Sequence, residues 1–178
     1  MDTCLYPDVR SQTLDGVRAT ETKPIAARVV PDLQRWIDMK TLSAWTRAEV
    51  ERFVPLSLGQ AFVAPNAADR FRKMLSILCL AYSTGMSRSA EIGDACRRTR
   101  EFASIAGEFC PFADELRTFR RRYRAVLEVI LTRLFMRAAA LNAEFAREAV
   151  PRELESQFES RAKEVLNRAR HLDACDDW

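Results

Sequence analysis

Between Asn66 and Gly85 the chain carries Phe71, Met74, Leu75, Ile77, Leu78, Leu80 and Tyr82, which fall almost all round a helical wheel. A helix without a polar face has to be enclosed, so other helices of the chain must surround it. Asn66 is a residue type that caps helix starts, and Gly85 is the type that ends helices at C′. Only 5 glycines occur in 178 residues, no stretch reads as a strand, and there are neither repeats nor low-complexity tracts. The fold class expected is all-α.

Proline and glycine divide the rest of the chain. Residues 1–25 read as a loosely ordered arm and 26–65 as a leader of short helices. In the leader, Pro31 opens a helix with Leu33, Trp36 and Ile37 on one side. Thr46-Arg47-Ala48-Glu49 has capping-box spacing and predicts the start of another helix, of about two turns. Trp36 and Trp45 are expected to anchor the leader on the core, and Pro55 to Pro65 interrupts the pattern. After Gly85, Ser87 is placed to cap a helix with Ile92, Ala95 and Cys96 inward, and a short helix follows and ends at Gly107. From Pro111 nothing breaks the helical pattern before about Asn142, so residues 66–150 read as one domain. Beyond Pro151 lies an amphipathic helix with Leu154, Phe158, Ala162, Val165, Ala169 and Leu172 on a narrow stripe. Glu159–Lys163 and Glu164–Arg168 are spaced as i, i+4 pairs on its outside. The stripe can dock on the same molecule, or pair with a second copy or another protein.

Charge is distributed unevenly. The net charge is +3, but residues 66–137 hold 14 basic against 8 acidic residues and 138–178 hold 6 against 9. A basic middle and an acidic tail suit a protein that turns one surface to a polyanion. The densest basic stretch is Arg117 to Arg124, where five of eight residues are arginine. At 100° per residue, Arg117, Arg120, Arg121 and Arg124 fall within roughly 100° of arc. Leu116, Phe119, Tyr123, Val126, Leu127, Ile130 and Leu134 lie on an adjoining stripe, so one face can pack while the next presents guanidinium groups. Such groups match phosphates and base edges bidentately. The same pattern also fits a solvated arginine-rich face, or one paired with Glu115 and the acidic tail.

Competing chemistry is sparse. Cys4, Cys79, Cys96, Cys110 and Cys175 are scattered and never form a CxxC pair, and Cys79 and Cys96 lie in apolar patterns, as reduced buried thiols do. The single histidine, His171, lies between Arg170 and Asp173 without a cluster of zinc ligands. No P-loop, G-x-S-x-G or glycine-rich phosphate cradle occurs. Neither an enzyme nor a cofactor or metal is expected. With no secretory signal and no run of about 20 apolar residues, a cytoplasmic protein without membrane contact is expected.

Four motifs in order carry a family resemblance. They are Tyr82-Ser83-Thr84-Gly85, then Ser87-Arg88-Ser89-Ala90-Glu91-Ile92 with Ala95-Cys96, then Phe102 with Ile105-Ala106-Gly107. Pro111 and Leu116-Arg117-Thr118-Phe119-Arg120-Arg121-Arg122-Tyr123 close the set. In order and spacing, residues of about 66–135 resemble the N-terminal DNA-binding domain of bacterial DDE insertion-sequence transposases of the InsH-like kind. The sequence departs from that family at Tyr123, which replaces a histidine, at Phe112-Ala113, and at Ala103-Ser104. The resemblance implies a helix-turn-helix within the bundle and non-catalytic binding of double-stranded DNA, as in a regulator or a domesticated transposase. No counterpart of the family's RNase H-like catalytic domain is expected in these residues, and Asp173, Asp176 and Asp177 read as a solvated tail.

In that arrangement one helix crosses the backbone and a basic one enters the major groove. Arg117, Arg120, Arg121, Arg122 and Arg124 are the expected DNA contacts, with Arg88, Arg97, Arg98 and Arg100 reaching flanking phosphates. Neutralising about six phosphates predicts a log–log salt slope on the order of −5. Replacing Arg120 and Arg121 with alanine is expected to abolish binding without unfolding the protein. Two alternatives stay open. The chain could be a protein–protein adaptor or assembly subunit that kept the fold alone, or its tail could mask the basic helix, giving tighter binding after truncation at Pro151.

Overall fold

The computed structural model describes residues 32–35, 37–54, 66–146 and 154–175. Seven α-helices follow a 3-10 turn at Leu33–Arg35. They are α1 (Met39–Phe53), α2 (Ala67–Ser83), α3 (Ser89–Arg98), α4 (Arg100–Ala106), α5 (Ala113–Arg122), α6 (Arg124–Ala146) and α7 (Leu154–Cys175). No strand occurs among the described residues, where the one β-type contact is an isolated bridge between Asp32 and Thr84. The chain is all-α, and none of these helices is long and apolar enough to cross a membrane.

The enclosed helix is α2, buried without interruption from Met74 to Ser83. It touches α1, α3, α4, α5 and α6. Each of its fully buried leucines and isoleucines contributes roughly 1.5–3 kcal/mol relative to exposure. Its end is a Schellman motif, in which the Gly85 N–H donates to the Tyr82 carbonyl at 3.3 Å and the Met86 N–H to the Ala81 carbonyl at 2.9 Å. Gly85 sits at φ 80°, a region costly for residues with a Cβ, and a Cβ there would lie 3.4 Å from that of Asp32. Gly85→Ala is therefore expected to destabilise the chain by about 1–2 kcal/mol, read as a lower urea midpoint.

Three sequence expectations are corrected. Among the described residues of the leader, the first expected helix is a 3-10 turn at Leu33–Arg35, and the second is 15 residues long rather than about two turns. It starts at Asp38, whose side chain accepts from the Thr41 N–H at 2.9 Å. Thr46 and Glu49 lie inside α1 and are buried, so they form no capping box; the Thr46 hydroxyl donates to the Leu42 carbonyl and Glu49 pairs with Arg52 and Arg137. Second, Asn66 stands at the start of α2 without a side-chain cap bond, and α3 starts at Ser89 rather than being capped by Ser87. Third, the basic helix does not run unbroken to Asn142, because Tyr123 (φ −112°, ψ 28°) separates α5 from α6. The Tyr123 ring packs against Phe71 and Phe119, with centroids 4.8 and 4.6 Å away. Trp36 and the Pro55–Pro65 interruption lie outside the described residues, whereas Trp45 packs against the core with Arg137 over its ring at 4.5 Å.

The apolar stripe of α7 is buried within the same molecule. Leu154, Phe158, Ala162, Val165, Leu166 and Ala169 join the core that includes α1, α2 and α6. The run is antiparallel to α6: Arg124 donates to Asn167 at 2.7 Å, and four residues on, Glu128 meets Lys163, four residues back, at 3.3 Å. Lys163 thus reaches across to α6 rather than to Glu159, and Glu164 pairs with Arg161 rather than Arg168. This stripe is no longer open to a second copy.

Candidate nucleic-acid interface

The basic stretch meets α7 at a buried ion pair. Arg120 is 5% exposed and Asp173 4% exposed, and the two are hydrogen-bonded through Nη2 and Oδ2. Arg120 also donates to the buried Tyr82 hydroxyl at 3.1 Å. Asp173 Oδ1 accepts the Ser89 backbone N–H at 2.9 Å, and Oδ2 accepts the Ser89 hydroxyl at 2.7 Å. A carboxylate 84 residues away in sequence thereby caps the start of α3, where the helix dipole favours negative charge. Asp173 is no solvated tail residue, and Arg120 is not available to a ligand. The wheel placed Arg120 beside its neighbours correctly, but α7 covers that edge of the arc.

Burial disfavours both charges, and each is rescued by its partners. For Asp173, the Ser89 hydroxyl and backbone N–H and the Arg120 guanidinium outweigh desolvation, so the carboxyl is held below its ordinary value. For Arg120, Tyr82 and Asp173 outweigh desolvation and raise its pKa. The Tyr82 hydroxyl is itself pushed up to about 12 by burial.

Above this floor lies a cleft of about 820 Å³. Its lining includes Arg117, Arg120, Arg121 and Arg124 from α5 and the start of α6, and Arg170 and Asp173 from α7. Arg117 pairs with Asp114 at 3.1 Å and approaches Asp173 at 3.8 Å. Arg121 and Arg170 are exposed and have no acidic partner among the described residues; Arg124 donates to the neutral Asn167. Asp114, the cleft's other carboxylate, has a side chain 88% exposed, so its pairing is weakened by water.

A second, largely apolar hollow of about 550 Å³ flanks α5, lined by Phe71, Met74, Phe119 and Tyr123 among others. Asp114 and Thr118 line both hollows. The solvent side of α5, with Asp114, Thr118, Arg121 and Arg122, is therefore a ridge between two depressions. Glu115 accepts the Phe112 N–H at 3.1 Å, which secures the ridge's start.

The remaining expected contacts are dispersed. Arg122 lies on the side of the aromatic hollow, over the Tyr123 ring at 5.4 Å. Arg88 precedes α3, Arg97 pairs with Asp94, and Arg98 is exposed at the end of α3. Arg100 opens α4 and lines a separate depression with Arg47 and Ser104. The cleft thus gathers Arg117, Arg120, Arg121 and Arg124 but not Arg88, Arg97, Arg98, Arg100 or Arg122. Sequence reasoning missed Arg170 and read Asp173 as solvated, although pairing of these arginines with the acidic tail was one reading and Asp173 meets Arg120 and Arg117; Glu115 pairs with Arg70 instead. One signal was present: Asp173 lies four residues beyond Ala169, on the spacing of the buried α7 stripe.

His171 is exposed, 4.0 Å from the Cys175 sulfur. Among the described residues no group of three or more His, Cys, Asp or Glu side chains could hold a metal ion. Cys79 and Cys96 are buried free thiols, and burial raises the pKa of both. Asp176 and Asp177 lie outside the described residues. Comparison with protein families, curated proteins and solved structures returns no match.

Proposed function

We propose that this chain is a non-catalytic double-stranded-DNA-binding protein, related in its middle segment to the transposase DNA-binding domains that its motifs resemble. What supports this most is the ridge of α5. It stands free between two hollows and carries Arg121 and Arg122, and the cationic cleft runs along one flank. In this reading α3 crosses the backbone and α5, which follows it after the short α4, enters the major groove as the recognition helix of a helix-turn-helix unit. Arg122 faces base edges, while Arg117, Arg121 and Arg124 hold phosphates. Arg120 contributes through Asp173, by fixing α5 against α7, rather than by touching DNA. With Arg170 as a fourth phosphate contact in the cleft, the expected salt slope becomes about −4.

The alternative is a protein–protein adaptor, favoured by the aromatic hollow and by Phe112, which is 73% exposed at the start of α5. Purification with and without nuclease separates the two. The DNA-binding reading expects nucleic acid to accompany the protein and heparin to retain it until salt is raised. Retention of a partner protein after nuclease, with no heparin affinity, would establish the adaptor instead.

A further inference from the structure

The cleft has two walls, and only one of them belongs to the basic stretch. We infer that α7 is the second wall of a phosphate-binding cleft, in which Arg170 holds a DNA phosphodiester alongside Arg121 and Arg124. This rests on the duplex-binding reading above.

The argument begins with charge. Both oxygens of Asp173 are already engaged, by the Ser89 N–H and hydroxyl and by Arg120. Its negative charge is neutralised chiefly by Arg120 on the floor of the cleft; it also approaches Arg117, at 3.8 Å, but pairs with neither Arg121 nor Arg124. Arg124 is held by Asn167 of α7, a neutral partner that fixes the guanidinium without cancelling it. Arg170, three residues along, adds a further cation to the same hollow. The docked helix thus orients one arginine, anchors another and supplies a third. A concave surface lined in this way concentrates positive potential, and guanidinium groups suit the oxygens of phosphate. An acidic tail that masked the basic helix would present carboxylates to Arg121 and Arg124. The described part of α7 instead presents Asn167 and Arg170.

The test is a salt titration of duplex affinity by fluorescence anisotropy, using the full chain and its Arg170→Ala, Arg170→Lys and Arg121→Ala variants. Arg170 is exposed, so its replacement should leave the urea midpoint unchanged. Arg170→Ala is expected to weaken duplex binding about tenfold and to reduce the salt slope by about 0.9, with Arg170→Lys restoring the slope. Unchanged affinity and slope in Arg170→Ala, with weakened binding in Arg121→Ala, would overturn the role of α7 and leave the duplex-binding reading standing. Absence of duplex binding by the unaltered chain at low salt overturns both. Inorganic tripolyphosphate is the companion probe, because it offers the same chemistry without a duplex. Its binding by the unaltered chain and loss in Arg170→Ala, with no duplex affinity, would assign the cleft to a free polyphosphate and overturn the DNA assignment.

Discussion

Asp173→Ala is expected to destabilise the protein by about 3–5 kcal/mol, the effect of leaving a buried cation without its partner. Arg120 would keep only the Tyr82 hydroxyl, and α3 would lose the cap on Ser89. Asp173→Asn separates the two losses. An amide oxygen can still accept from Ser89 but cannot neutralise Arg120, so an intermediate loss is expected in urea unfolding. The pH dependence follows from the direction of the shift. The folded-state carboxyl is held below its ordinary value, so its contribution is fully present above the unfolded value of about 3.9. That contribution is lost as pH falls through the lowered folded value. The stability gap between the unaltered chain and Asp173→Asn should therefore be constant near neutrality and shrink below about pH 4. A gap that widens with acid would contradict the buried pair. The same geometry changes the expected outcome of the Arg120 and Arg121 double replacement: loss of Arg120 strands Asp173 and costs stability as well as binding.

Removal of α7 by ending the chain before Pro151 is expected to abolish cooperative unfolding. The deletion takes Leu154, Phe158, Ala162, Leu166 and Ala169 out of a core they share with Leu127, Ile130, Leu131, Leu134 and Phe135 of α6, the helix against which α7 packs. Large-to-small changes at single buried sites already cost about 2–5 kcal/mol, comparable with much of the stability of a domain this size. A broad, non-cooperative thermal transition and exposed apolar surface in dye binding are the expected results. A shorter chain that stays folded and binds duplex more tightly would instead make α7 a mask.

What was legible in the sequence was mostly local. The all-round apolar run and Gly85 placed α2 and its end, and Gly107 placed the end of α4, because positive φ at a C-cap leaves a mark in residue type. The arc of Arg117, Arg120 and Arg121 reappears as cleft lining, since helical geometry fixes neighbours whatever packs on them, and Arg124 joins it from the start of α6. The failures are long-range. Whether Asp173 was solvent or core depended on where α7 would dock, and no periodicity within either helix encodes the meeting of Asp173 with Arg120, 53 residues away in sequence. The cap of α3 came from that same distant residue, so a local search for capping side chains settled on Ser87. The leader failed differently: Thr46 and Glu49 have the right spacing for a box, but Asp38 starts the helix earlier and the two residues turn inward.

The central claim is that the α5 ridge and its arginine cleft grip duplex DNA. The most direct measurement is duplex affinity across a salt series, for the unaltered chain and for an Arg121→Glu, Arg124→Glu double variant whose helix content and urea midpoint are measured alongside. The account predicts a slope of about −4 for the unaltered chain and an affinity loss of at least about 100-fold for the double variant at low salt. Salt-independent binding, or equal affinity in the folded double variant, would contradict it.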